Sequence, residues 1–155
     1  MMNKQIMIDL LRKLQNAFPG ARLEDREGML NLWTEKLSRY ADEVVTEAVE
    51  LLIDEGSHYF PALPEVIQRC NQLVMVRVQC LQNEHARIKY APFDEKAWRE
   101  LIAGYTRYGW LANADTARQD MEHARSGFVT MTPEAVRKMI DDVTGKLSMK
   151  DEVKA

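Results

Sequence analysis

Apolar residues recur at every third or fourth position through most of this chain, and no other sequence feature constrains its fold as strongly. This spacing places the apolar side chains on one face of an amphipathic helix. The first such stretch begins at Lys4 and ends at "FPG", where proline and glycine interrupt helical hydrogen bonding. A second helix is predicted from Glu24 to Tyr40, with Trp33 as its central anchor. A third is predicted from an Asp42 cap to the sequence "DEGS".

The longest predicted helix begins at Leu63 or Pro64 and continues to about Lys89. Proline suits the first turn of a helix, and Glu65 there complements the positive end of the helix dipole. Within this stretch "LVMVRVQCL" alternates between apolar and polar residues as a strand would. We nevertheless predict helix, because the chain has no second strand-like run to pair with it and an isolated strand is not stable.

The carboxy-terminal third contains clear helix starts separated by a weaker stretch. A fifth helix is predicted after Pro92 with Asp94 as its cap, and another begins at a Thr132 cap followed by Pro133. Between them, residues 111–128 are polar and rich in small residues, which fits either a short helix or a connector. The prediction is an all-α helical bundle of five to seven helices with a long central fourth helix. Residues 1–90 form one domain, and residues 91–155 form a helical extension that either packs on it or is partly mobile.

Composition places the chain among ordinary globular proteins, with 46% hydrophobic and 29% charged residues. A formal net charge of -3 gives no general attraction to phosphate backbones or anionic lipid. No apolar run approaches about 18 residues, so no membrane partner is expected. Cys70 and Cys80 lie roughly 15 Å apart along a helix at 1.5 Å per residue, which is too far for a disulfide. These features indicate a reduced, cytosolic protein.

The sequence contains none of the common catalytic or cofactor-binding motifs. It lacks a GxxxxGK[ST] phosphate loop and the HExxH and GxSxG patterns of metalloproteases and hydrolases. We expect His58 in a loop and His85 and His123 on helix surfaces, which gives no metal-ligand spacing. The prediction is a protein without enzymatic activity and without catalytic residues, metal ligands or a cofactor.

A local excess of basic residues lies in the middle of the chain. Residues 63–110 contain 7 Lys or Arg against 5 Asp or Glu, and aromatic residues are interleaved with them. Such a mixture can neutralise phosphates and stack bases, so one alternative is a helical DNA-binding or transcription-regulating module. The other interpretation is that these cations form solvated helix edges and these aromatics form core. The candidate partner or DNA contacts are Arg69, Arg77, Arg87, Lys89, Arg99, Arg107, Tyr108 and Trp110.

Residues 6–72 together resemble the phage-encoded loaders and inhibitors of the replicative helicase. The resemblance rests on "LLRKLQNAFPG", then "LWTEKLSRY", "YADEVVTEAVELLIDEG" and "FPALPEVIQRC", in this order. The last of these is also similar to a corner in lambda-type replication proteins that deliver helicase. In this chain the motif residues are Trp33, Tyr40, Ala48, Phe60, Pro61, Pro64 and Glu65.

The resemblance implies a small all-helical protein that binds a ring-shaped replicative helicase without an ATPase of its own. It also implies that the helicase is held inactive and then passed to an origin-bound initiator or to single-stranded DNA. Such a protein would act in the cytoplasm of a bacterial host during phage or prophage replication. The Phe60–Glu65 corner would fix the angle of the fourth helix, and exposed parts of the later helices would contact the helicase.

Overall fold

A computed structural model of the chain describes residues 2–56, 58–127 and 132–153, with side chains as far as residue 145. These ranges contain seven helices and no strand, which confirms the predicted all-α bundle with a long fourth helix. The helices are α1 (Lys4–Ala17), α2 (Arg26–Leu37), α3 (Asp42–Asp54), α4 (Leu63–Lys89), α5 (Glu95–Arg107), α6 (Leu111–Arg125) and α7 (Pro133–Val153).

The starts of the second and third helices correct two of the predicted boundaries. α2 begins at Arg26 rather than Glu24, because the Asp25 carboxylate accepts a hydrogen bond from the backbone N–H of Gly28 at 2.8 Å and caps the helix. Asp42 is not the cap of α3 but its first residue, after Ala41 in an extended conformation. The negative charges of Asp42 and Glu43 still complement the positive end of the helix dipole.

The first hydrophobic core lies between α1, α2, α3 and the first part of α4. Its apolar side chains come from the predicted amphipathic faces, including Trp33 at 4% exposure. Fully burying one such side chain contributes roughly 1.5–3 kcal/mol. The buried members are Met2, Met7, Leu10, Leu14, Phe18, Trp33, Leu37, Val44, Val45, Ala48, Val49, Val66 and Cys70.

The start of α4 is set by the corner between residues 60 and 65. Ala62 has extended backbone angles (φ -74°, ψ 151°) and precedes the first helical residue, Leu63. One carboxylate oxygen of Glu65 accepts a hydrogen bond from the Ala62 N–H at 2.8 Å, and Pro64 occupies the first turn. From there α4 continues without interruption to Lys89, so the strand-like sequence "LVMVRVQCL" is helical, as predicted.

A second hydrophobic core lies between the later part of α4 and the helices α5 and α6. The weak stretch after residue 110 is therefore a helix rather than a connector. Ala114 and Ala117 of α6 are fully buried there, and their small side chains let α6 approach its neighbours closely. The buried members of this core are Val78, Ile88, Trp98, Leu101, Tyr105, Ala114 and Ala117. Because α4 contributes to both cores, the two halves share one long helix, and the division at residues 90 and 91 stays a prediction.

The last helix, α7, begins as its sequence predicts. The Thr132 hydroxyl oxygen accepts a hydrogen bond from the Ala135 N–H at 3.1 Å, and Pro133 is the first helical residue. Three of its apolar side chains are exposed to solvent, Met139, Ile140 and Val143, by 49%, 55% and 53%. Among the helices that the structure describes, none is both long and apolar enough to span a bilayer.

Candidate protein-interaction surfaces

Phe60 is the aromatic centre of the corner before α4. Its half-buried ring meets Phe18 and Trp33 edge-on, with centroid distances of 6.1 Å to each. Edge-to-face aromatic pairs contribute about 0.5–1.5 kcal/mol beyond the area that they bury. The next residue, Pro61, is buried. Phe60 therefore joins the end of α1, the middle of α2 and the start of α4.

The other motif residues also hold the helices against one another. Ala48 is fully buried in α3, where a larger side chain would separate the helices. The Tyr40 hydroxyl donates a hydrogen bond to the side-chain oxygen of Asn71, which ties the turn before α3 to α4. Pro64 and Glu65 are exposed, and their contribution is to the start of α4. The motif thus builds the scaffold that orients α4.

Every basic side chain among the candidate contacts forms an ion pair. Three of these pairs join different helices to α3 or its carboxy-terminal end: Arg69 to Glu55, Arg77 to Glu47, and Arg107 to Glu43. The remaining three are Arg87 with Glu84, Lys89 with Asp120 at 3.6 Å, and Arg99 with Glu95 at 2.7 Å. A neighbouring carboxylate offsets the positive potential that a phosphate would meet.

The two aromatic candidates lie against the protein. The Arg77 guanidinium stands 5.8 Å from the ring centroid of Tyr108 and 3.4 Å from its hydroxyl oxygen. Tyr108 contacts both hydrophobic cores, and the half-buried Trp110 packs on the second. Nucleic-acid contact by these residues stays a prediction, and the neighbouring carboxylates would weaken it.

A polar cluster around His85, beside the second core, corrects the expected surface position of this residue. Its side chain is only 15% exposed, and its Nε2 lies 2.8 Å from a carboxylate oxygen of Asp120. On its other side, Nδ1 is 3.4 Å from the hydroxyl oxygen of Tyr105. The ring also meets Trp98 edge-on at 5.6 Å. Burial raises the pKa of the Tyr105 phenol, which keeps this hydroxyl protonated.

The sequence contains a signal for this cluster that residue type alone does not reveal. Val78, Leu81, His85 and Ile88 are spaced by three and four residues, so His85 falls on the same face of α4 as the apolar residues that enter the second core. Asp120 cannot be found in this way, because its contact with His85 depends on how α6 packs on α4. The cluster links α4, α5 and α6, and its polar side chains are partly buried between them.

Neither cysteine forms a disulfide. Cys70 is buried in the first core, and burial raises the pKa of its thiol from 9.0 to about 12. Cys80 is exposed on α4. Within the described ranges, no three His, Cys, Asp or Glu side chains are grouped closely enough to hold a metal ion.

The helices around the Phe60 corner match a known protein family. Residues 2–67 match the family model of the gp39 N-terminal domain. This is a domain of phage helicase loaders and inhibitors, and the match confirms the resemblance seen in the sequence. We refer to residues 2–67 as the gp39-like segment.

The gp39-like segment contains α1, α2, α3 and the start of α4, together with the Phe60 corner. It ends before the second core, so α5, α6 and α7 lie outside the match. No curated protein and no solved structure matches the chain.

Proposed function

We propose that this protein binds a hexameric replicative DNA helicase, holds it inactive and loads it onto DNA during phage or prophage replication. The observation that carries the proposal is the match of residues 2–67 to a domain of phage helicase loaders and inhibitors. The sequence has no phosphate-binding loop, so the protein would act through contacts with the helicase and without hydrolysing ATP itself. It would work in the cytoplasm of the bacterial host.

The helicase contacts would lie on the exposed sides of α5, α6 and α7. In the gp39-like segment most motif residues are used in packing, and Pro64 and Glu65 form the start of α4. All six candidate cations are engaged in ion pairs. In contrast, α7 presents an apolar face to solvent that includes Met139, Ile140 and Val143. Burying these side chains against a partner would remove apolar surface from water, which is the main driving force of most protein association.

Co-elution from a size-exclusion column tests the binding. The full chain is mixed with the host replicative helicase and, separately, with the helicase of the phage, and we expect a complex with one of them. Ile140→Asp should weaken this complex at least tenfold, because it places a charge in the centre of the α7 apolar face. Val76→Asp is the matched control, since Val76 of α4 is also an exposed β-branched residue, at 63% against 55%. If the protein forms a complex with neither helicase, the proposed function is wrong.

Inhibition and loading need separate measurements. The protein should lower the unwinding rate of its helicase on a naked fork, and unwinding should recover when single-stranded DNA or an origin-bound initiator is supplied. Recovery with one of the two would identify the acceptor of the helicase. If the protein binds the helicase without changing its unwinding rate, the inhibitory role is wrong although the binding is real.

A direct DNA-binding function is the alternative, and its test is the salt dependence of binding. A protein that neutralises several phosphates loses affinity steeply as salt rises from about 50 to 200 mM. Because the central cations are paired with carboxylates, we expect negligible binding of a labelled single strand at both salt concentrations. Tight binding that weakens with salt, and that Arg69→Ala or Arg107→Ala reduces, would favour the DNA-binding module instead.

A further inference from the structure

A small groove between α1 and α2 lies within the gp39-like segment and on a different surface from the proposed helicase contacts. Its volume is about 190 Å³. The floor consists of half-buried aliphatic side chains, and two exposed arginines and a glutamine complete the lining. The lining includes Arg12 of α1 and Arg26 and Met29 of α2.

We propose that this groove docks an acidic amphipathic segment of a partner protein. One apolar side chain of that segment would enter the groove, and carboxylates beside it would pair with Arg12 and Arg26. The inference goes beyond the proposed function, because it concerns a second surface and a second binding event.

The groove is too small for a cofactor, and its size fits a single side chain of another protein. Sites for cofactors and drug-sized ligands measure about 300–1,000 Å³, whereas this groove is smaller. It is large enough for one leucine, methionine or phenylalanine side chain. Such single anchors in small apolar pockets carry much of the affinity at protein interfaces.

The positive charges of Arg12 and Arg26 at the rim of the groove favour an acidic partner. The Arg12 guanidinium is 3.9 Å from the Asp9 carboxylate, and both side chains are more than half exposed, so this pair is weak. Arg26 forms no ion pair with any residue that the structure describes. These two arginines differ in this respect from Arg69, Arg77 and Arg107, whose charges are offset across helix contacts. The chain as a whole is negative, at -3, so a rim with one weakly paired and one unpaired arginine is a local feature.

A second copy of this chain fits the groove less well than a separate acidic partner. The exposed amphipathic helix that another copy could offer is α7, and its described side chains carry both signs of charge. Glu134, Asp141 and Asp142 are accompanied by Arg137 and Lys138. A segment with carboxylates alone would avoid the repulsion that Arg137 and Lys138 would meet at Arg12 and Arg26.

Selection from a displayed library of random 12-residue peptides tests the inference without knowing the partner. The full-length chain serves as bait, and binders that also bind the Arg12→Glu/Arg26→Glu variant are removed. We expect the enriched peptides to carry net negative charge around one large apolar residue. Enrichment of basic or neutral peptides, or no enrichment, would overturn the proposal.

The best peptide is then labelled, and its affinity is measured by fluorescence anisotropy. Arg12→Glu/Arg26→Glu should weaken binding at least tenfold, and Arg12→Lys/Arg26→Lys should retain part of it. Lys4→Glu/Lys36→Glu is the control, because it changes net charge equally through exposed cations of α1 and α2 that do not line the groove. Thermal melting of each variant checks that the fold is intact. Equal affinities of the two charge-reversal variants would overturn the proposal.

Methyl spectra of labelled methionines locate the peptide. Its binding should shift the Met29 resonance, since Met29 lines the groove, and leave that of Met139 on α7 unchanged. Shifts at Met139 without shifts at Met29 would overturn the assignment to the groove. Self-association of the chain that Arg12→Glu/Arg26→Glu abolishes would assign the groove to a second copy and would also overturn the proposal. Helicase co-elution is measured on the same variants, so failure of this inference is distinguishable from failure of the proposed function.

Discussion

Phe60 joins three elements at the corner before α4. Its ring contacts Phe18 and Trp33, which belong to different elements, and the chain enters α4 three residues later. Phe60→Ala would remove both contacts and leave a cavity at the corner. We expect a loss of about 3 kcal/mol, the low end of the range for phenylalanine truncation in cores, because the ring is half-buried.

Urea unfolding followed by circular dichroism measures this loss. Phe93→Ala is the matched control, because Phe93 is 42% exposed and belongs to neither core, so its truncation should cost less than about 0.5 kcal/mol. An unchanged stability of Phe60→Ala together with lost helicase binding would make Phe60 a contact residue instead of an anchor.

The two cysteines should differ sharply in reactivity. Cys80 is exposed, whereas Cys70 is buried with a pKa raised to about 12. The thiolate is the reactive form, so an aromatic disulfide reagent at pH 8 should modify one thiol rapidly and the second only after unfolding. Cys80→Ser should remove the rapid phase. Rapid modification of both thiols would show that α4 opens from the first core in the native state.

The same raised pKa makes a contribution to stability that depends on pH. In the unfolded chain the Cys70 thiol ionises near its ordinary pKa of 9.0, while in the folded chain it stays protonated to about 12. Its contribution to folding is therefore fully present below about pH 9 and is lost as pH rises toward 12. The difference in the free energy of unfolding between pH 8 and pH 10.5 should be smaller for Cys70→Ala than for the unmodified chain.

At the scale of elements, the sequence predicted helices best where their ends carry caps. Asp94 and Thr132 accept hydrogen bonds from the backbone as their positions suggested. Asp42 is not a cap but the first residue of α3. The prediction failed there because aspartate suits both the cap and the first turn, and the sequence does not distinguish the two positions. The helix α6 gave a weak signal because its buried positions are alanines, which add little to an apolar period.

Asp120 of α6 contacts His85 and Lys89 of α4, and its removal tests how these two helices are held together. Asp120→Ala would leave the partly buried His85 without its carboxylate partner and remove the neighbour of Lys89. Leaving a buried polar group unsatisfied costs about 1–3 kcal/mol, so we expect a destabilisation of that size.

Asp115→Ala is the control on the same helix. Its carboxylate pairs with Arg118 at the surface, where it is 68% exposed, so the expected cost is below about 1 kcal/mol. Chemical unfolding at pH 7 compares the two variants. Equal losses would mean that the His85 cluster adds no stability beyond an ordinary surface pair.

For the whole molecule, the arrangement of the two cores depends on the uninterrupted length of α4. Residues at its start enter the first core and residues from Val78 onward enter the second. Val74 and Tyr108 contact both. The sequence alone predicted the length of α4 but not its contribution to both cores. The spacing of apolar residues along one helix does not show which distant helices it contacts. We expect the shared helix to make the two cores unfold as one unit.

Matched leucine truncations in the two cores test that cooperativity. Leu37 of α2 and Leu101 of α5 are exposed by 0% and 2%, so each Leu→Ala change should cost roughly 2–5 kcal/mol. If α4 couples the cores, either substitution should reduce the hydrogen-exchange protection of amides in both α1–α3 and α5–α6 by the same factor, since these amides then exchange through one global opening. Loss of protection confined to the substituted half would show that the halves unfold independently and would support a domain division of the chain near residue 90.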